Sequence, residues 1–129
     1  MRGYNKVILA GNLGADPEIR YTNSGTPVAT FRLATNEKRG ENTYTEWHRI
    51  VAYGKLAEII GEYLSKGKPV LIEGRLHNRS WDDRDGKTHY VTEVIAQQMS
   101  MLGNGGSRQE EPEQLEEHGG QEYPDDIPF

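Results

Sequence analysis

A change of hydrophobic period at residue 55 divides the chain. Residues 55–66 place apolar side chains at i, i+3, i+4, i+7 and i+8, which is the spacing of an amphipathic helix packed against a core. The segments on either side alternate apolar and polar residues with the period of two that is typical of β-strands. Three strands precede the helix and two follow it: residues 6–13, 28–36, 46–54, 69–81 and 88–96. Gly67, flanked by Lys66 and Lys68, is expected to end the helix.

Turn-forming residues join these segments. Residues 21–27 (YTNSGTP) and 82–87 (DDRDGK) predict tight hairpin turns, the second because Asp-Gly favours positive φ angles. Residues 36–45 are polar throughout and predict a mobile hairpin loop. The element order fits an all-β barrel of five strands, closed or partly open, with the helix between strands 3 and 4 covering one end. An open sheet with one packed helix is the alternative, and a parallel α/β fold is disfavoured because strands and helices do not alternate.

The charge distribution separates a globular part from an acidic tail. Residues 1–102 carry 14 basic and 12 acidic side chains, a net charge of +2, whereas residues 103–129 carry one Arg and eight acids, a net charge of −7. The second part is too poor in apolar residues to offset the entropy of ordering. We therefore predict one domain at residues 1–102 and a disordered acidic linker at residues 103–124.

The last five residues break the pattern of the tail. They combine two acids and two large apolar side chains with the terminal carboxylate: Asp125, Asp126, Ile127, Pro128 and Phe129. A docking peptide has this composition, because its ring fills a pocket on a partner protein while basic residues hold the acids. Residues 125–129 are therefore predicted to be a partner-docking tip.

Composition excludes several other functions. The chain has no cysteine, and its four histidines show no metal-ligand spacing, so we expect no metal and no cofactor. No nucleophile stands near a recognisable base, and we expect no enzymatic activity. The apolar run at residues 7–10 is far shorter than a signal or membrane segment, which predicts a soluble, cytoplasmic protein with no membrane partner.

Two of the predicted strands carry rings and cations on one face. Trp47, Arg49 and Tyr53 alternate in the third strand, and the fourth strand continues the pattern with Arg75, His77, Arg79 and Trp81. Single-stranded DNA suits such a face, because unpaired bases stack on aromatic rings while the phosphates require cations. Six residues are therefore predicted to bind single-stranded DNA: Trp47, Tyr53, Trp81, Arg49, Arg75 and Arg79. Core packing is the alternative for a single aromatic residue, and a protein-interaction adaptor is the alternative function.

Five motifs resemble those of bacterial-type single-stranded DNA-binding proteins. They are NKVILAGNLG at 5–14 followed by DPE, EWHR at 46–49, GKLAE at 54–58, YLSKG at 63–67 and DDIPF at 125–129. The resemblance implies a Greek-key OB-fold, a homotetramer, and single-stranded DNA wrapped by aromatic stacking in a cytoplasmic, nucleoid-associated setting. It also implies that the tip recruits replication, recombination and repair proteins. An OB-type replication accessory factor resembling primosomal proteins is a further alternative, and the acidic tip argues against it.

The resemblance also suggests roles for individual residues. Trp47, Tyr53 and Trp81 match stacking aromatics of the family, and His48 matches a histidine associated with the subunit interface. Many members have a further stacking tryptophan in the loop after the second strand, whereas Lys38 and Arg39 occupy that region here. The resemblance therefore implies phosphate contact at these two residues and a steeper salt dependence of DNA binding.

Overall fold

A computed structural model of the chain describes residues 1–103 and 114–116. One helix and seven strands are present among these residues. They are β1 (Val7–Leu13), β2 (Glu18–Tyr21), β3 (Pro27–Arg39), β4 (Asn42–Tyr53), α1 (Gly54–Tyr63), β5 (Pro69–Asp82), β6 (Thr88–Met101) and β7 (Gln114–Glu116). No regular element was predicted for the residues that form β2, and the three residues of β7 lie inside the predicted linker.

Five of the strands close into a barrel. β1 pairs with β5, β5 with β6, β6 with β4 in parallel, β4 with β3, and β3 returns to β1. The closing contact is tight, since a Cβ at Gly11 would lie 2.0 Å from the carbonyl oxygen of Ala34. Only glycine therefore lets β1 and β3 approach this closely. The predicted five-stranded barrel is confirmed, with the connectivity of an OB-fold, and the open-sheet alternative is wrong.

The core follows from the strand alternation. In β3, Ala29, Phe31 and Leu33 point into the barrel and are buried, as the sequence predicts. Leu56 and Ile60 of α1 join the same cluster. The helix thus covers apolar surface inside the barrel, and burial of each such side chain stabilises the fold by roughly 1.5–3 kcal/mol.

The helix ends earlier than predicted because tertiary hydrogen bonds capture the chain. Leu64 is already extended, and its N–H donates to the carbonyl of Ile60. The next backbone donors turn to β1 and its following loop: Lys66 N–H donates to Asp16 Oδ1 at 2.8 Å, and Gly67 N–H donates to the Leu13 carbonyl at 2.8 Å. Gly67 has a φ of +89° but lies in the turn beyond the helix. Its predicted role as the helix stop is therefore wrong, and no basic residue lies in the last helical turn.

The predicted mobile loop at residues 36–45 is a paired β-ribbon. β3 and β4 continue to a two-residue turn, with Asn36 opposite Thr45 and Arg39 opposite Asn42. Gly40 takes a φ of +63° at the first turn position, as a type II′ turn requires. Polar residues form this ribbon without a core because the backbone ladder satisfies their donors and acceptors.

Burial departs from simple strand alternation at two places along the β5–β6 ribbon. The register shifts between Glu73 and Gly74, where Glu73 faces Gln98 and Gly74 faces Ala96. The unpaired residue on β6 reverses its phase, so that Met99 enters the core beyond the predicted end of the strand. Leu76 alternates in phase with the buried Val70 and Ile72 but is exposed, because the ribbon there has left the barrel.

The C-terminal predictions are covered only in part. Residues 104–113 and 117–129, which include the predicted docking tip, lie outside the described residues. The described segment Gln114–Glu116 pairs antiparallel with residues 98–100 of β6, which differs from the predicted absence of structure at these three positions.

Candidate nucleic-acid interface

The outer faces of β3, β4, β6 and β5 form one continuous surface. In β4, Trp47 and Arg49 point outward, as the alternation predicts. β3 places Arg32 directly opposite Arg49. On the other side of β4, the parallel register of Ile50 with Val94 brings in β6, and β6 pairs with β5 along the whole ribbon. The predicted strands three and four therefore present their functional faces to the same side of the barrel.

Four arginines line a groove on this surface, which we call the arginine groove. It encloses about 480 Å³. Its lining residues are Glu18, Arg20, Thr30, Arg32, Arg49, Arg79, Trp81 and Val91. The fold thus brings together three of the predicted DNA-binding residues, Arg49, Arg79 and Trp81, and adds two cations that the sequence analysis missed.

The sequence pattern differs in how well it indicates these two cations, Arg32 and Arg20. Arg32 alternates with the buried residues of β3 and could have been found from that pattern. Arg20 belongs to β2, which carries too short a pattern for a prediction, and its guanidinium is paired with Glu18 at 3.0 Å. Arg32 forms no salt bridge with any of the residues that the structure describes, which leaves its charge available to an anion in the groove.

Trp47 forms one wall of a second, apolar concavity of about 360 Å³, which we call the Trp47 pocket. Its other lining residues are Gly14, Ala15, Asp16, Thr30, Phe31 and Arg32. Thr30 and Arg32 therefore line both concavities, so the pocket and the groove adjoin. The Trp47 side chain is 52% exposed, and its ring can accept a stacked base.

Trp81 lies in the arginine groove between Arg79 and His89. The Arg79 guanidinium carbon lies 5.4 Å from the centre of the indole, and the His89 ring stacks on it at 5.2 Å. His89 is in turn held by Asp83, whose Oδ2 lies 2.6 Å from His89 Nε2. The hydrogen bond from His89, and then that from the Lys87 N–H, lowers the pKa of Asp83. Trp81 remains 44% exposed despite these contacts, as a stacking ring requires.

Tyr53 is buried, unlike Trp47 and Trp81. Its side chain is 6% exposed and packs with Val28, Val51 and Ile95 in a small cluster outside the barrel core. Burial raises the pKa of its hydroxyl to about 12, with a smaller contribution from the negative charge of Glu93. Tyr53 therefore keeps its proton at neutral pH and packs against its neighbours, and its predicted contact with DNA stays a prediction.

The remaining predicted residues lie outside the groove lining. Arg75 is half-buried on the same face, opposite Ile95 of β6. Lys38 and Arg39 lie at the tip of the β3–β4 ribbon, where Arg39 pairs with Glu37 at 3.2 Å. Arg39 also lies 5.0 Å from the centre of the Tyr44 ring. DNA contact by these three cations stays a prediction.

His48 lies apart from the groove. It alternates with Trp47 and Arg49 and therefore belongs to the opposite face of β4. Its Nε2 lies 2.9 Å from Thr35 Oγ1, and the side chain is half-buried. The predicted role at a subunit interface stays a prediction.

The sequence analysis also missed a buried acid at the centre of the surface. Glu93 is 1% exposed, and its Oε2 accepts hydrogen bonds from Arg49 Nε at 2.9 Å and from Arg79 Nη2 at 3.2 Å. A signal was present, since Glu93 falls in phase between Val91 and Ile95 on one face of β6. Because a glutamate is almost never fully buried unless it is paired, a glutamate in phase with two β-branched residues on an inward-turned face indicates a buried ion pair.

Comparison with known proteins places this geometry in a family. The sequence profile of the Single-strand binding protein family matches residues 4–102. The chain belongs to the single-strand binding protein family. This is a family of DNA-binding proteins rather than of enzymes.

Two relatives illustrate the family likeness. The chain is 47% identical over 109 residues to Single-stranded DNA-binding protein 1 of Xylella fastidiosa, covering 80% of each chain. It is also similar to the solved structure of a Plasmodium falciparum SSB complex with ssDNA, with a TM-score of 0.69 and 39% identity, covering 74% of this chain and 88% of the other.

The described part of the chain contains neither a candidate metal site nor a helix suited to a membrane. Within residues 1–103 and 114–116, no three His, Asp or Glu side chains are grouped so that they could hold a metal ion. No helix among those residues has the length and apolar character needed to cross a membrane.

Proposed function

We propose that this chain binds single-stranded DNA without sequence preference, and thereby protects and organises it during replication, recombination and repair. The observation that carries the proposal is the arginine groove, which contains the exposed Trp81 and adjoins the pocket of the exposed Trp47. Family membership supports it, as does the name of the Xylella relative and the ssDNA in the Plasmodium complex.

The groove supplies both interactions that single-stranded DNA requires, which are base stacking and neutralisation of the phosphates. Stacking of a base on an exposed aromatic ring contributes about 1–3 kcal/mol for each base, and it tolerates any sequence because every base has a flat face. Arg32 lines both concavities, so that it can neutralise the backbone of a strand that passes from one to the other. No base-edge contact is needed, which makes the binding independent of sequence.

Alanine substitution of each tryptophan tests the proposal. We expect Trp47→Ala and Trp81→Ala each to weaken binding of an oligothymidylate about tenfold, since each removes one stacking partner. Tyr63→Ala is the matched control, because Tyr63 is 51% exposed on α1 and lies outside the groove. Unchanged affinity in both tryptophan variants would refute the proposed binding surface. A protein-interaction adaptor would show no DNA binding even in the wild type.

We further propose that the chain assembles as a homotetramer with His48 at a subunit contact, as its resemblance to the family implies. The half-buried position of His48 on the face opposite Trp47 supports this, since one strand can then serve DNA and assembly from opposite faces. The molar mass in solution tests it. We expect four times 14.6 kDa for the wild type, and a smaller mass for His48→Ala. A monomeric wild type would refute the proposal.

The tip at residues 125–129 is proposed to dock replication, recombination and repair proteins at sites of single-stranded DNA in the cytoplasm. Its two acids and the terminal Phe129 support this role by their chemistry. Deleting Phe129 should abolish such docking while leaving the affinity for an oligothymidylate unchanged. Docking that survives the deletion would refute the role of the tip.

A further inference from the structure

Glu93 lies buried beneath the four arginines that line the groove. It projects from β6, the strand between β4 and β5, with Val91 of the groove lining on one side. Its side chain has no solvent exposure. A buried carboxylate is costly to desolvate, and its charge lowers the attraction of the groove for phosphate. A benefit to DNA binding or to the fold must therefore offset these two costs.

The hydrogen bonds of Glu93 indicate what that benefit is. Its Oε2 binds Arg49 through Nε at 2.9 Å, so only one corner of the guanidinium is used. The terminal Nη1 and Nη2 groups of Arg49 donate no hydrogen bond to any other described residue, and the side chain is 36% exposed in the groove lining. A guanidinium fixed at Nε presents its Nη edge in the geometry that binds a phosphate.

The same oxygen also holds the second arginine. Arg79 donates from Nη2 to Glu93 Oε2 at 3.2 Å, and its guanidinium carbon lies 5.4 Å from the centre of the Trp81 ring. Glu93 therefore links a cation that faces the groove with a cation that lies over a stacking ring. Its other oxygen, Oε1, is buried and accepts no hydrogen bond from the described residues, so the carboxylate is not satisfied by local packing alone.

We propose that Glu93 is a positioning residue for DNA binding, which holds Arg49 aimed at one phosphate and Arg79 against Trp81. This inference rests on the proposed function. It reverses the ordinary expectation for a groove that binds an anion, where removal of a negative charge should tighten binding. If Glu93 positions the arginines, its removal weakens binding, because the freed Arg49 guanidinium no longer faces the phosphate and that contact is lost.

Two variants of Glu93 separate positioning from charge. Glu93→Ala removes both the charge and the hydrogen bonds, whereas Glu93→Gln removes the charge and keeps one acceptor oxygen of similar shape. We expect Glu93→Ala to weaken oligothymidylate binding about tenfold and Glu93→Gln about threefold, because a bond from guanidinium to a neutral amide is weaker than one to a carboxylate. Glu73→Ala is the control, since Glu73 pairs with Lys6 at 3.2 Å outside the groove.

A double-mutant cycle with Arg49→Ala tests whether Glu93 acts through that arginine. If it does, the tenfold loss on Glu93→Ala shrinks to about threefold or less when Arg49 is already absent. The salt dependence gives a second readout that a merely structural role would not change: the slope of log K against log salt falls by about 0.7 in Glu93→Ala, as for the loss of one phosphate contact. Affinities are compared for samples whose circular dichroism shows the wild-type fold.

Each outcome decides the matter. The wild type is titrated first, and failure of the wild type to bind oligothymidylate would refute both the proposed function and this inference. If the wild type binds, equal or tighter binding by Glu93→Gln, or additive losses in the cycle, would overturn the positioning role alone. Should Glu93→Ala not fold, Glu93→Gln and its cycle with Arg49→Ala give the same decision.

Discussion

Gly14 lies against the ring of Trp47 so closely that no other residue fits without moving the ring. A Cβ at position 14 would lie 2.5 Å from Cζ3 and 2.9 Å from Cη2 of the indole. The glycine is therefore not needed for an unusual backbone angle, since its φ is not positive. It leaves space for a half-exposed tryptophan to rest on the loop after β1, with its other surface open to the Trp47 pocket.

Substitution of Gly14 should displace Trp47 without unfolding the barrel. We expect Gly14→Val to shift the emission of Trp47 and to weaken oligothymidylate binding about tenfold, the cost of losing about one stacked base. The emission is measured in a Trp81→Phe background, where Trp47 is the sole tryptophan. Gly3→Ala is the control, because no atom lies within 4 Å of its Cβ position. Wild-type emission and affinity in Gly14→Val would contradict the contact.

Arg32 should account for one phosphate contact. It lines both concavities and has no salt-bridge partner among the described residues. We expect Arg32→Ala to lower the slope of log K against log salt by about 0.7, the value for one phosphate on a single strand. Lys55→Ala, which removes an exposed cation at the start of α1, should leave the slope unchanged. Equal slopes for the wild type and Arg32→Ala would show that no phosphate is bound there.

Tyr53 should make the stability of the fold sensitive to alkaline pH. Its pKa is raised from 10.0 to about 12 by burial, so the folded state retains the proton after the unfolded chain has lost it. The stabilisation is complete below pH 10 and is lost as the pH rises towards 12. We expect the free energy of unfolding to fall less over this range in Tyr53→Phe than in the wild type. Tyr21→Phe, on the 70% exposed Tyr21, should behave as the wild type does.

The acidic tail should compete with DNA for the arginine groove. Residues 103–129 carry a net charge of −7 and are tethered to a domain of +2. We expect a chain truncated after residue 102 to bind oligothymidylate more tightly at about 0.02 M salt, with the gain disappearing near 0.3 M as screening shortens the reach of the charges. A full-length chain with the tail acids changed to their amides should match the truncated chain. If it matches the wild type instead, the effect does not come from charge.

Local pattern predicted most of the barrel because period and burial agree there. Ala29, Phe31 and Leu33 alternate and are buried, and the helical period over residues 55–63 places Leu56 and Ile60 in the core. The errors arose where tertiary contacts decide local structure. The helix ends at Tyr63 because the backbone of Lys66 bonds to Asp16, fifty positions earlier in the chain. No window of sequence around the helix contains that partner.

The site was also predicted only in part, because local pattern gives the face of a residue but not the tertiary contacts that cover it. Trp47, Arg49, Arg79 and Trp81 lie on the predicted outer face, because alternation along one strand determines the face. Tyr53 keeps the same phase but is buried, since the outer face there is covered by its neighbours in the cluster with Val28 and Ile95. Whether an outward residue is open or covered depends on adjacent strands, and their register is not visible in a single strand.

Fluorescence titration with an oligothymidylate tests the central claim most directly. The chain has two tryptophans, and both line the proposed surface, so their emission reports on the site itself. We expect quenching in both the Trp47→Phe and the Trp81→Phe variants, affinity in the nanomolar to micromolar range that falls with salt, and weak competition by a duplex of the same length. Emission that does not change on binding, or equal affinity for duplex and single strand, would contradict the account.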